Sequence, residues 1–144
     1  YIIALVWAGA TVILPLVYLQ WPFTTEVYLF MAQRLIFVWV LTLPFEIRDL
    51  KYDEAHLQTL PQQLGVIGVK WLGSLLLVIM LVLIGISNEV GSSYLISSVF
   101  ISGLTAIGLW QSSKAQPPFY AAFWIEGISI LWLVLYGLLL GLLA

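Results

Sequence analysis

Glu46, Arg48, Asp49, Lys51, Asp53 and Glu54 crowd into one short stretch, and with Lys70 they make seven of the twelve formally charged residues in this 144-residue chain. Glu46, Asp49 and Asp53 are spaced three and four apart. A helix carried through the stretch would put all three carboxylates on one face, because side chains at those spacings are neighbours. Like charges so placed repel by a few tenths of a kcal/mol each (roughly) in water, and by more at a poorly hydrated membrane surface. A divalent cation is one way to neutralise them. Mg²⁺ takes oxygen ligands, keeps several waters, and is typically held by one or two carboxylates together with substrate phosphates. Arg48 and Lys51 are the other way, either by pairing with the carboxylates or by meeting phosphates themselves. The bland alternative is a solvated loop of mixed charge that sets topology.

The surroundings are almost pure hydrocarbon. The chain is 62% hydrophobic and 8% charged, with a mean hydropathy of +1.08, whereas a soluble domain is about 25% charged. That composition makes an integral membrane protein the expectation, with the lipid bilayer as its solvent. The net charge of −2 is spread over too few groups to argue for or against nucleic acid, and the absence of a basic tract to bind phosphate backbones drops it as a partner. With no cysteine, disulfides, thiolate metal sites and thiol catalysis are excluded.

A membrane-spanning helix needs about 20 predominantly apolar residues. Five segments qualify, over about 2–19, 26–47, 66–86, 94–111 and 119–143, joined by a polar loop at 48–65 and by breaks at Gln20-Trp21-Pro22, at 87–91 and at 112–118. Runs such as 75–84 lack the polar/apolar alternation of barrel strands, so the expected class is all-α, a polytopic bundle of five transmembrane helices in one domain. Arg48, Lys51 and Lys70 flank the polar loop and Lys114 lies in the loop after the fourth helix, while the opposite loops hold no lysine or arginine. The positive-inside rule then places loop 48–65 in the cytoplasm. Small residues at four-residue spacing, Gly137 with Gly141, Ser98 with Ser102 and Ala4 with Ala8, read as helix-packing positions.

The order of residues in the polar stretch adds a further expectation. Glu46-Ile-Arg48-Asp49-Leu-Lys51-Tyr-Asp53, followed by Thr59-Leu60-Pro61 and Gly65, resembles the second aspartate-rich motif of the UbiA-type intramembrane prenyltransferases. In that family a helix ends in a DxxxD, and a Thr-Leu-Pro-like segment and a glycine open the next helix. Two helices before the motif and three after it resemble the second half of the nine-helix family fold. The resemblance implies that Asp49 and Asp53 hold Mg²⁺, with Glu46, Arg48 and Lys51 around the diphosphate. It also implies transfer of a prenyl group from a prenyl diphosphate to an aromatic or other lipid-forming acceptor. Phe37, Trp39 and Trp71 are candidate faces for a prenyl cation, with core packing as their other possible job. The family's first aspartate-rich motif is not in this chain, which begins at Tyr1; the expectation is therefore part of a longer protein, completed by an N-terminal half or by other membrane subunits. The alternative is a non-catalytic membrane subunit that keeps the helix layout. It would pair Arg48 or Lys51 with Asp49 or Asp53.

Two ionisable residues fall inside apolar segments, Arg34 in the second and Glu126 in the fifth. Charges at such depth are costly and face a partner or a cavity. The expectation is a mutual ion pair, with a substrate-pocket role as the second reading. His56 and Glu89 read as solvated loop residues.

Overall fold

The computed structural model describes residues 2–52, 58–87, 90–117 and 119–143. Five helical runs are formed among the described residues. The first is α1 (Ile2–Ala8), a π segment (Gly9–Ile13) and α2 (Leu14–Tyr18). Then come α3 (Thr25–Asp49), α4 (Leu60–Gly85), α5 (Ser92–Gln111), and a π segment (Tyr120–Ile125) that continues into α6 (Glu126–Leu143).

Four of the five runs are long and apolar enough to cross a membrane. The first, with an apolar helix over Ala4–Tyr18 among the described residues, is shorter, so four of the five expected spans are shown. Helix formation stops there because Gln20 takes a left-handed φ of 53° and Pro22 follows. Two other boundaries also differ from expectation. Helix α3 runs on to Asp49, and α4 starts at Leu60, so the polar loop is shorter than 48–65.

The early start of α4 has a local cause. Thr59 is its N-cap residue, Pro61 lies in its first turn, and the Thr59 backbone N–H donates to Gln62 Oε1 at 3.2 Å. Proline suits that turn because the missing N–H would be unpaired anyway. The turn does not run straight into the span. Gly65 sits at φ 70°, ψ 164° and separates 60–64 from the long apolar helix that follows.

Helix α3 is the centre of the bundle. It packs on α4, is touched by α5 and by the π segment before α6, and carries α1 on its flank, while α4 packs on α5 and α5 on α6. Its inner face is Phe37, Val40, Leu43 and Ile47, met by Val69, Leu77, Met80 and Ile84 of α4 and by Ile101 and Leu109 of α5. Helix α5 buries a hydroxyl face instead of a purely apolar one: Ser93, Ser97, Ser98, Ser102 and Thr105 all point inward. Ser97 and Ser98 donate to the Tyr94 carbonyl at 2.9 and 2.6 Å, and Thr105 to the Ile101 carbonyl at 2.8 Å. Hydroxyls bonded back to their own helix can be buried between helices without loss. Large apolar side chains point the other way, among them Ile67, Leu75, Val78 and Val82 of α4. Such a surface is solvated by lipid chains.

Of the small-residue pairs, Ala4 with Ala8 and Ser98 with Ser102 are buried at helix contacts. Gly137 and Gly141 are not: a Cβ at either would meet nothing within 4 Å. The close approach is made elsewhere. A Cβ at Gly73 would lie 2.3 Å from Leu109 Cδ2 and 2.9 Å from Leu43 Cδ1, so α4 nests against both neighbours at a residue without a side chain.

The dihedrals of Gly65 are ones that only glycine adopts readily, and an L-residue there costs about 1–3 kcal/mol. Gly65→Ala is expected to lower the unfolding midpoint in detergent. Gly103→Ala, at a helical position where a Cβ meets nothing, should leave it unchanged or raise it.

Candidate functional site

The acidic stretch and the main cavity lie at opposite ends of α3. At the first end, α3 closes on Asp49 with Leu50 as its C-cap, and the Tyr52 N–H turns back onto the Asp49 carbonyl at 2.7 Å. The helical register that would align Asp53 with Glu46 and Asp49 therefore stops at Asp49. Asp53 itself, with Glu54 and His56, lies outside the described residues, as does Glu89 in the loop at the other end.

Asp49 is engaged. Arg48 Nε donates to its Oδ1 at 2.6 Å and Arg48 Nη2 to its Oδ2 at 3.1 Å, a forked pair between consecutive residues. The Arg48 guanidinium also lies 5.3 Å from the centre of the Phe45 ring, and Lys51 Nζ 4.7 Å from that of Tyr52. The pair is partly exposed, with 40% of the Asp49 side chain accessible, and such pairs contribute about 0.2–1 kcal/mol. A ligand of higher charge can displace it at that cost. The donor set is right in kind for Mg²⁺, a hard cation that takes carboxylate oxygen. It is half of the expected set, since Asp49 alone of the two aspartates is described and no group of three acidic or histidine side chains gathers among the described residues.

This end is braced by buried polar bonds from the loop after α5. Gln116, 6% exposed, donates through Nε2 to the Pro44 carbonyl at 2.9 Å and accepts the Ser113 N–H at 3.0 Å. Lys70 reaches the last turn of α5 and donates to the Trp110 carbonyl at 2.7 Å, where a cation meets the negative end of a helix dipole. Trp110 in turn donates to Ser74 Oγ at 3.0 Å and stacks edge-on against Trp71 at 5.4 Å. Lys70 thus works as a helix tie ten residues into α4, at the same end of the bundle as the polar loop.

At the other end a cavity of about 720 Å³ opens between the first helical run, α3, α5 and α6. One face of α3 supplies Glu26, Phe30, Gln33 and Arg34, at the i, i+4, i+7 and i+8 positions of a helix. Opposite stand Tyr94 of α5 and Ser129, Trp132 and Tyr136 of α6. Their rings form one cluster: Tyr94 lies 5.7 Å from both Trp132 and Tyr136, and Trp132 caps Phe37 edge-on at 4.7 Å. Two polar bonds order the walls. Ser87 donates to the Glu26 carboxylate, tying the loop after α4 to the start of α3, and Trp132 Nε1 donates to Ser97 Oγ at 3.3 Å.

Arg34 faces this cavity. The expected ion pair with Glu126 does not form: the ion pair among the described residues is Arg48–Asp49, and Glu126 is exposed at the start of α6 and outside the cavity lining. The reason is angular. The faces of α3 and α6 that meet carry Phe37 and Trp132, and Glu126 lies between the buried Ile125 and Ile128 on a different face. Of the residues suggested for a prenyl cation, Phe37 is fully buried in the core and Trp71 is 64% exposed on the outside of α4. The aromatic wall of the cavity was not anticipated from sequence, although the spacing of Glu26, Phe30, Gln33 and Arg34 carries the signal for its α3 side.

No protein-family model, curated protein or solved structure matches this chain.

Removing the Gln116 side chain takes a donor from the buried Pro44 carbonyl and an acceptor from the Ser113 N–H, and leaving a buried polar group short of a partner costs about 1–3 kcal/mol. Gln116→Ala is expected to lower the unfolding midpoint. Hydrogen exchange should rise in the loop at 112–117 while α6 stays protected.

Proposed function

We propose that this chain is the second half of a Mg²⁺-dependent intramembrane prenyltransferase of the UbiA type, with Asp49 and Asp53 as the metal ligands. The observation that carries the reading is the order of features at one end of the bundle. A long apolar helix stops at Asp49, an acidic stretch follows, and Thr59-Leu60-Pro61 caps a helix that breaks at Gly65 before entering the apolar layer. That is the order in which the UbiA motif runs.

In this reading the polar loop faces the cytoplasm. When bound, Mg²⁺ supplies the positive charge that a departing diphosphate needs. Asp49 orients its carboxylate at the mouth of the bundle from a rigid helix end. Glu46, Arg48 and Lys51 surround it, and Arg48, held by a weak and exposed contact, is free to turn from Asp49 to a phosphate oxygen. The apolar helices exclude water from a reactive prenyl group, and the acceptor is a lipophilic aromatic or lipid-forming molecule. The other half of the metal site comes from an N-terminal half or a partner subunit.

A second reading has one observation in its favour. A non-catalytic membrane subunit with the same helix layout needs its carboxylates neutralised by its own cations, and Arg48 does pair with Asp49. The two readings separate on activity. In the complete protein, Asp49→Ala and Asp53→Ala are each expected to reduce Mg²⁺-dependent prenyl transfer by about 10²–10³-fold, the loss seen when a group stabilising transition-state charge is removed. The unfolding midpoint should hardly change. Undiminished transfer in both variants overturns the assignment; a wild-type protein that transfers no prenyl group and co-purifies with other membrane chains supports the subunit.

A further inference from the structure

The cavity at the Glu26 end takes no part in the chemistry proposed for the Asp49 end, yet it is the better-built ligand site. Its volume of about 720 Å³ falls within the roughly 300–1,000 Å³ of small-molecule pockets. Its depth follows from the helix. Arg34 lies nine residues beyond Thr25, the first residue of α3, or about 13 Å along the axis at 1.5 Å per residue. That is close to the middle of an apolar layer about 30 Å thick.

A guanidinium at that depth keeps its charge, because arginine does not lose its proton in proteins. It makes no hydrogen bond or ion pair among the described residues, and it faces the cavity. Glu26 does not neutralise it. That carboxylate lies eight residues back, about 12 Å nearer the mouth, and accepts from Ser87. Gln33, next to Arg34, is 2% exposed and lines the same space; its Oε1 takes a long 3.5 Å contact from the Tyr94 hydroxyl, and its amide nitrogen donates to no described residue. Two adjacent residues therefore offer unused donors, one of them fully charged, where water is scarce. Around them the walls are apolar or aromatic: Val12, Leu16, Phe30, Trp132 and Leu133. Such a site asks for one anionic head and a hydrocarbon body.

We propose that this cavity binds a singly headed anionic amphiphile, its carboxylate or phosphate on Arg34 and Gln33 and its chain against the aromatic wall of α5 and α6. The head satisfies donors that are costly to leave unpaired in the membrane. The chain fills apolar space that would otherwise hold lipid at random.

Binding is measured on the complete protein in nanodiscs of zwitterionic lipid, with three probes that share one fluorescent polyene chain: the carboxylic acid, the monophosphate ester and the neutral alcohol. Energy transfer from tryptophan reports occupancy, since Trp21 and Trp132 line the cavity. At least one anionic probe is expected to saturate, with the alcohol about tenfold weaker or more. Preference between acid and phosphate tells a fatty acid from a phosphorylated lipid. Arg34→Gln should weaken the anionic probes by about ten- to hundred-fold, the effect of losing a hydrogen bond to a charged group, and leave the alcohol unchanged. Ser129→Trp keeps the cation and fills the space, so all three probes should lose binding; this variant decides if Arg34→Gln does not fold. Equal affinity for the three heads, no saturable binding, or unchanged anion binding in Arg34→Gln overturns the proposal, and the head-group series decides on the unaltered protein alone. None of these outcomes depends on prenyl transfer.

Discussion

The bundle depends on how closely α4 can lie against α3 and α5. In a bilayer the hydrophobic effect does not press helices together, because lipid chains are as apolar as leucine. Association has to come from close packing and internal polar bonds. Gly73 provides the first, with Leu43 and Leu109 filling the place where a side chain would stand. The hydroxyl face of α5 provides smooth, small side chains, of which Ser97, Ser98 and Thr105 have their hydroxyls bonded back to their own helix. Lys70 and Trp110 then lock α4 to α5 at the Asp49 end, and Gln116 locks the next loop to α3. With those three helices set, α6 can lay Trp132 against Phe37 and Ser97, and the first helical run can rest on α3.

One consequence is a division of polar chemistry between the two ends of α3. At the Asp49 end the charges are shallow, mutually paired and cheap to rearrange, which suits a site that exchanges a highly charged ligand with water. At the Glu26 end the polar groups are few, deep and held among rings. There Arg34 stands within a wall made by four helical runs, a setting that suits a ligand arriving from the lipid. The same helix thus presents two electrostatic environments, Arg34 lying about 22 Å from Asp49 at 1.5 Å per residue, and the long apolar face between them, Phe37 to Ile47, keeps them separate.

Much of the layout could be read from residue order. The helices at 26–47, 66–86, 94–111 and 119–143 were legible as long apolar runs, as was the break at Gly65. The Thr59 cap also has a sequence signature, a threonine followed three residues later by glutamine. The first run, read as 2–19, ends at Tyr18, just before the turn at Gln20 and Pro22. Gly137 and Gly141 misled because small-residue spacing shows where helices can approach, not where they do. Arg34 and Glu126 misled for a related reason: two charges in apolar segments need partners, but a partner is reached only when both helices turn the right faces inward.

By itself, then, the sequence determined that this is a bundle of membrane helices with one acidic stretch at a helix end. An apolar run in lipid must pair its own backbone, and charge concentrates where the chain leaves the apolar layer. Only the tertiary structure decided which polar residues meet. Glu26 with Ser87, Gln116 with Pro44, and Arg34 in one cavity wall with the rings of Tyr94 and Trp132 join residues from different parts of the chain, up to 98 positions apart. Those meetings depend on helix rotation and register, which are set by packing at residues such as Gly73 and leave no local mark in the chain.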